Sequence, residues 1–212
     1  MPVSSDADAP QFQQERARRT YAMLIEAAQA LFAERGFDAT GTPDIAEHAG
    51  VSVGTFYRYF DDKKQIYLEV CRRHSERALT DIMAGLRPDL FVGKARHETI
   101  MLAIDVLFGH VSAAPGLLRS FIEMSLRDPD VAAIQRQFDD DGRRQLTALL
   151  TTVVSRDVAP DPAATAFVIH AAATECAFQV AGLRGSPPLA PEPVKAALCA
   201  LVERGLFDGG GD

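Results

Sequence analysis

Between Thr42 and Phe60 the chain reads TPDIAEHAGVSVGTFYRYF, and this stretch concentrates the residues able to do chemistry on a partner. At 100° per residue, Phe56 and Phe60 fall on one side of a short helix. Gly54 and Arg58 lie opposite, flanked by Thr55 and Tyr57. That face offers one long cation, one hydroxyl, one phenol and a bare stretch of backbone. Such a surface suits hydrogen bonding and charge contact inside a major groove, not bond-making chemistry. The alternative is an ordinary pair of short core helices.

The elements that must hold this face can be read on either side of it. Leu24, Ala28, Leu31 and Phe32 recur as one apolar helical stripe, which Gly36 ends. Thr42 and Pro43 supply an N-cap and a proline at the start of a short second helix. Ile45 and Val51 fill the angle between this helix and the next, Ala46 must be small, and Gly50 makes the turn. Ser52 caps a third helix running to about residue 60, and Asp61 or Asp62 caps a fourth from Lys63. Arg16, Arg18 and Arg19 precede the first helix and could reach phosphates or the minor groove, or simply be solvated.

Beyond residue 88 come further helical stretches at about 95–112, 116–127, 130–156, 162–183 and 192–206, separated by proline-containing breaks. The fold class is all-α. Residues 1–12 read as a disordered tail and residues 208–212 as a flexible one.

The stretch from Ala30 to Val70 resembles the DNA-binding domain of the tetracycline-repressor family, over roughly residues 16–70. The matching positions include Phe32, Gly36, Thr40, Ile45, Ala46, Gly50, Val51, Ser52, Phe56 and Phe60. The resemblance implies a three-helix helix-turn-helix domain over residues 13–62. It also implies a larger helical bundle for ligand binding and dimerisation over 63–207, reached through the fourth helix. It places Val53, Gly54, Thr55 and Tyr57 against bases, and Thr42, Arg58, Tyr59 and Lys63 against phosphates, with a guanine as an alternative for Arg58. Val53 departs from the family, which often has a polar residue there.

The second half carries no specific motif. Ala163, Ala166, His170, Thr174, Ala177 and Ala181 form a seam of mostly small residues, with a second apolar stripe beside it. A helix apolar over most of its circumference is buried on more than one side. Ala166, His170, Thr174, Ala177 and Ala181, with Leu198 and Leu201 from the last helix, are therefore expected at a homodimer interface; a monomer's core helix is the alternative. Met101, Phe108, Phe121, Met124, Phe138 and Phe178 suit a pocket for an apolar small molecule, with His110, Glu123 or Glu175 orienting it. Plain core is the competing reading for each.

Composition bounds what else the chain could be. A net charge of −7 is unexpected for a nucleic-acid binder, but residues 1–80 hold 10 Lys+Arg against 12 Asp+Glu, two of the acids (Asp6 and Asp8) being in the tail. The first third is thus near neutral and the acid lies elsewhere. Cys71, Cys176 and Cys199 form no CxxC and suit a reducing cytoplasm; redox sensing by Cys176 or Cys199 stays open. No metal site is evident: Cys71 and His74 lack further ligands, and Asp139-Asp140-Asp141 point different ways. No apolar run approaches the roughly 18 residues of a membrane span, and no signal peptide is seen. No HExxH, GxSxG, P-loop or dinucleotide pattern is present. The expectation is a cytoplasmic, cofactor-free regulator that binds a palindromic double-stranded operator as a homodimer and is released by a small apolar effector. A DNA binder without a small-molecule ligand and a helical enzyme are the alternatives.

Overall fold

Apolar residues at helical spacing, broken by proline and glycine, give an all-α chain. A computed structural model describes residues 9–91 and 95–207; the terminal residues 1–8 and 208–212, read above as tails, lie outside the described residues. The described residues form nine α-helices and no strand: α1 (Ala9–Arg35), α2 (Thr42–His48), α3 (Val53–Phe56), α4 (Lys63–Ala84), α5 (Ala95–Ala113), α6 (Pro115–Ser125), α7 (Pro129–Val153), α8 (Pro162–Val180) and α9 (Pro191–Phe207). A single 3-10 turn at Pro88–Phe91 was not anticipated. The chain divides into two compact units, one ending at Cys71 and the other beginning at Arg72. The division falls inside α4, where the sequence suggested its first residue.

In the first unit α1 starts at Ala9, so Arg16, Arg18 and Arg19 lie within the helix instead of before it. Leu24, Ile25, Ala28, Leu31 and Phe32 are buried on one face. Gly36 closes α1 with φ +76° and donates its N–H to the Phe32 carbonyl at 3.0 Å. The Thr40 hydroxyl, fully buried, donates to the Gly36 carbonyl at 2.8 Å and holds the outgoing loop against the helix end. Phe32, Phe37 and Tyr67 meet edge-on or stacked, with both tyrosine contacts at 4.8 Å, and this cluster fixes α4 on α1.

The second unit packs α5 against α9 and α8, and α7 against α6 and α8. Asp128 and Asp161 cap α7 and α8, each accepting two backbone N–H groups ahead of a proline. Gly142 lets α7 and α8 approach: a Cβ there would stand 3.2 Å from the His170 ring. Ile100, Ile104, Phe108, Ala177, Leu198 and Cys199 form the main core.

Two changes test these supports. All four tyrosines lie at or before position 67 and the chain has no tryptophan, so tyrosine fluorescence reads the first unit alone. Gly50 has φ +68° and open space around its α-carbon. Gly50→Ala should therefore cost about 1–2 kcal/mol of that unit's stability through backbone strain alone, seen as a lower urea midpoint by tyrosine emission. Gly142→Val should push α7 from α8 and cost about 1–3 kcal/mol, lowering the melting temperature by circular dichroism while tyrosine emission unfolds at its wild-type midpoint.

Candidate nucleic-acid interface

The turn between α2 and α3 is built from backbone hydrogen bonds that need a left-handed residue. Gly50 supplies it, donating to the Glu47 carbonyl at 2.9 Å, while Val51 reaches back to Ala46 at 2.9 Å. This 6→1 and 5→2 pairing satisfies the last carbonyls of α2 and turns the chain at once. Ser52 then caps α3, its Oγ accepting from the Thr55 N–H at 3.1 Å. Phe56 is fully buried and Phe60 nearly so, with ring centroids 5.7 Å apart. Phe60 stacks on Tyr21 of α1 at 5.2 Å.

With that side buried, the other is presented to solvent. Val53 is 39% exposed and Tyr57 53%, and Gly54 and Arg58 are also exposed. Arg58 has no acidic partner among the described residues. Thr55 is half-buried and exchanges a hydroxyl hydrogen bond with Ser52 at 2.9 Å. At Gly54 the only atom within 4 Å of an added Cβ would be Ser52 Oγ, at 3.8 Å, so nothing within the fold requires glycine there. α3 itself is shorter than expected: it ends at Phe56, and Tyr57 to Tyr59 continue as a turn.

One expected role changes, and two further side chains have contacts within the fold. Thr42 is not the cap of α2; Gly41 is, and Asp44 reaches back to accept the Gly41 N–H at 2.8 Å. The Thr42 hydroxyl is thereby free to meet the Tyr57 hydroxyl at 3.0 Å, which steadies the phenol on the exposed face. Tyr59 is half-buried, its ring 6.2 Å from Tyr21. Lys63 donates from Nζ to the Phe37 and Asp38 carbonyls, at 2.8 and 3.4 Å, and lies 4.3 Å over the Phe37 ring. Its ammonium therefore holds the loop after α1, a duty that sequence spacing does not reveal because the partners are backbone atoms some 26 residues away.

Two cavities of the second unit are large enough to matter for a ligand. One, about 130 Å³, is lined by apolar side chains including Leu79, Ile104, Phe138, Leu149 and Leu206. The other, about 250 Å³, mixes Phe121, Phe138 and Phe178 with His74, His110, His170, Arg143 and Glu175. Leu107, Phe138, His170 and Thr174 line both. Of the effector-contact residues expected from sequence, His110, Phe121, Phe138, Glu175 and Phe178 line the larger cavity. Met101, Phe108, Glu123 and Met124 line neither: Phe108 and Met124 are buried in packing, Met101 packs against the main core, and Glu123 is exposed. His74, not foreseen as a contact, is held neutral near pH 7, its pKa lowered by burial and by His110 beside it. His110 and His170 are each paired with a carboxylate, Asp81 at 3.0 Å and Asp139 at 3.2 Å. The Asp139–Asp141 run is otherwise spent on Arg143 and Arg144 one turn away.

The alanine seam of α8 faces inward. Ala166 and Ala177 are fully buried within the chain, Ala181 and Leu198 pack in its core, and His170 and Thr174 line the cavities. Only Leu201, 71% exposed, lies on an outer face. The exposed apolar residues of α8 are instead Ala164, Phe167, Val168, Ala171 and Ala172, of which Phe167 and Ala171 also line the larger cavity and Phe167 and Val168 are more than half exposed. The second apolar stripe of the helix, Ile169, Ala173, Cys176 and Val180, also packs against the cores, so these exposed apolar residues belong to neither stripe. Its apolar breadth makes Pro162–Val180, with mean hydropathy 1.2 over its best window, long and apolar enough by length and composition to cross a membrane; 11% of that window is buried within the chain. Its apolar character is an average over a window that includes His170, Thr174 and Glu175, so the helix holds no uninterrupted apolar run of that length. The cysteines are unpaired, and burial pushes the Cys71 thiol up to about 12 and raises that of Cys199.

Comparison with known proteins bears on both units. Residues 24–70 match the model of the tetR family of bacterial regulatory proteins. The chain is 30% identical over 111 residues to the HTH-type transcriptional activator FasR of Mycolicibacterium smegmatis, covering 52% of this chain and 49% of that protein. It is 45% identical over 82 residues to the HTH-type transcriptional repressor KstR2 of Rhodococcus jostii, 39% of this chain and 33% of the relative. The chain thus spans about half the length, or less, of these curated relatives. A transcriptional regulator from Saccharomonospora viridis, solved in complex with choline, shares the fold with TM-score 0.69 at 22% identity, over 91% of this chain and 98% of that one. The matched segment contains the buried phenylalanines, the Gly50 turn and the exposed α3 face: residues 24–70 are similar to the tetR family of bacterial regulatory proteins, and the helical body shares the fold of the solved regulator.

Proposed function

We propose that the chain is a homodimeric transcriptional repressor that reads a palindromic DNA operator through α3 and is released from it by a small amphipathic molecule. The observation that carries the reading is the α3 face. It offers an exposed phenol and an unpaired guanidinium beside Gly54, where the fold leaves room for a side chain and none is present. A bare backbone at that point lets a groove wall approach closely. Val53, Gly54, Thr55 and Tyr57 are assigned to bases, and Thr42, Arg58 and Tyr59 to phosphates. Lys63 acts by holding the loop, with its third N–H left for a phosphate. The catalytic alternative has no support in the paired, dispersed carboxylates of the body.

The second subunit is assigned to the outer faces of α8 and α9, which pack side by side. Val168, Ala171 and Ala172 on α8 and Ala197 and Leu201 on α9 give an apolar surface of two helices, the pattern of a four-helix interface between copies. This surface replaces the inward seam first expected, and it accounts for the hydropathy of α8 without a membrane. The effector is assigned to the paired cavities, its apolar part toward Leu149 and Leu206 and its polar end toward His74, His110 and Glu175. α4 runs unbroken from Lys63 to Ala84 and contributes His74, Ser75 and Ala78 to the larger cavity. A ligand that prefers one setting of this helix shifts the equilibrium by its differential affinity alone, typically about 1–3 kcal/mol.

Selection of bound sequences from random DNA should return a two-fold symmetric site. Tyr57→Ala and Arg58→Ala should each weaken binding to it by roughly 1–3 kcal/mol, while tyrosine-monitored unfolding of Arg58→Ala stays at the wild-type midpoint. An asymmetric site, or mutants that bind normally, removes the assignment. Lys63→Ala should lower the unfolding midpoint of the first unit as well as its DNA affinity.

For assembly, Leu201→Arg and Val168→Arg should give a folded monomer in sedimentation that loses tight operator binding, because one half-site forfeits the second contact's effective concentration. Ala177→Arg, placed in the core, should unfold the body. Dimers that survive both surface changes place the interface elsewhere.

A further inference from the structure

A group of three dissimilar side chains in the second unit, lining neither cavity, has no part in the function proposed above. His97 stands in the first turns of α5, and Cys199 and Glu203 sit one turn apart on α9. Their donor atoms all lie within 4.8 Å of one another. His97 Nδ1 is 2.9 Å from Glu203 Oε2 and 3.7 Å from Cys199 Sγ. Zinc bond lengths of about 2.0–2.3 Å in a tetrahedron put neighbouring ligand atoms about 3.5 Å apart. The observed separations bracket that value, so an ion enters with shifts of tenths of an ångström to about an ångström in side chains.

The donor chemistry matches the geometry. A thiolate, a carboxylate and a neutral imidazole carry two negative charges, which neutralise a divalent cation. A thiolate with an imidazole selects a borderline-soft ion over calcium or magnesium, which take oxygen ligands. Cys199 is fully buried among Ile100, Ile104 and Phe108, so the sulfur side of the site is dry and fixed. The His97 side chain is 57% exposed and that of Glu203 28%, so the other side opens to solvent, leaving a fourth position for water. None of the three lines either cavity.

We propose that His97, Cys199 and Glu203 form a binding site for a zinc-type divalent ion that ties the start of α5 to α9. On binding, the ion takes the place of the hydrogen bond between His97 and Glu203, and the neutral ring then carries its one proton on Nε2. The proton held between Nδ1 and Oε2 leaves to solvent where Nε2 is already protonated, and otherwise passes to Nε2 as a tautomer shift with no net release. The thiol proton of Cys199 leaves to solvent as the metal–sulfur bond forms. The site is independent of the DNA-reading assignment and stands or falls without it.

The test uses the full chain, freed of metal by a chelator. Zinc titrated against a chromophoric chelator should bind at one equivalent, and cobalt in its place should give a thiolate-to-metal charge-transfer absorption. Cys199→Ser should abolish that absorption while Cys176→Ser leaves it. Because Cys199 is buried, His97→Ala and Glu203→Gln provide variants at accessible positions. Each should keep the helical circular dichroism and lose about a hundredfold in zinc affinity, at the upper end of what even outer partners of a metal contribute. Zinc should raise the melting temperature of the wild type but not of His97→Ala. A wild-type chain that binds no stoichiometric zinc, a cobalt spectrum without the thiolate band, or wild-type affinity in both variants overturns the site.

Discussion

A four-residue helix has no stability of its own in water, because nucleating a turn fixes more backbone than its hydrogen bonds repay. α3 exists only because Phe56 and Phe60 are buried behind it and because its two ends are tied. Burying each ring contributes about 1.5–3 kcal/mol, and the Ser52 cap about 1 kcal/mol more. The exposed face follows from this constraint: once the phenylalanines point inward, Gly54, Tyr57 and Arg58 have nowhere to lie but outside. The left-handed Gly50 sets the angle, and the Lys63 ammonium on the Phe37 carbonyl fixes the loop before α2. The proposed DNA contact is thus the outward side of a small core.

The body shows a different economy. α8 is apolar around most of its circumference and satisfies three demands at once. One stripe seals the core through Ala166 and Ala177, a second edge lines the cavities through His170 and Thr174, and the outer face remains uncovered within the chain. Small residues make this possible. Gly142 on α7 admits the His170 ring, and that ring then reaches Asp139 across the helix pair. Several polar groups of the larger cavity are already paired, His170 with Asp139, Glu175 with Arg184 and His110 with Asp81, so a ligand there meets oriented hydrogen-bond partners.

Charge is arranged by the same local logic. The overall charge of −7 does not describe the α3 face, where Arg58 stands without an acid. Several surface acids are engaged one helical turn from a cation, as with Asp140 and Arg143 or Glu76 and Arg72. Such exposed pairs contribute little to stability, yet they keep the acidic body from presenting a single-sign field.

The sequence by itself determined the helical fold class, the positions of most helices and the α2–turn–α3 unit, because these rest on local signals. Apolar spacing, proline at helix starts, the Asp and Ser caps and glycine past helix ends act within about one turn of chain, and the residues that carry them can be read in order. Only the tertiary structure decided that Val168 and Ala172, outside both apolar stripes read from the sequence, are left exposed on α8, since a helix apolar over most of its circumference does not say which side its neighbours cover. It alone separated Met101, Phe108 and Met124, which are packing, from Phe121, Phe138 and Phe178, which line a cavity. It reassigned Thr42 from cap to partner of Tyr57 and Lys63 to backbone carbonyls, and it brought His97 beside Cys199 from 102 residues away. Each of these depends on contacts between distant segments, and periodicity along one helix holds no record of what the fold will set against it.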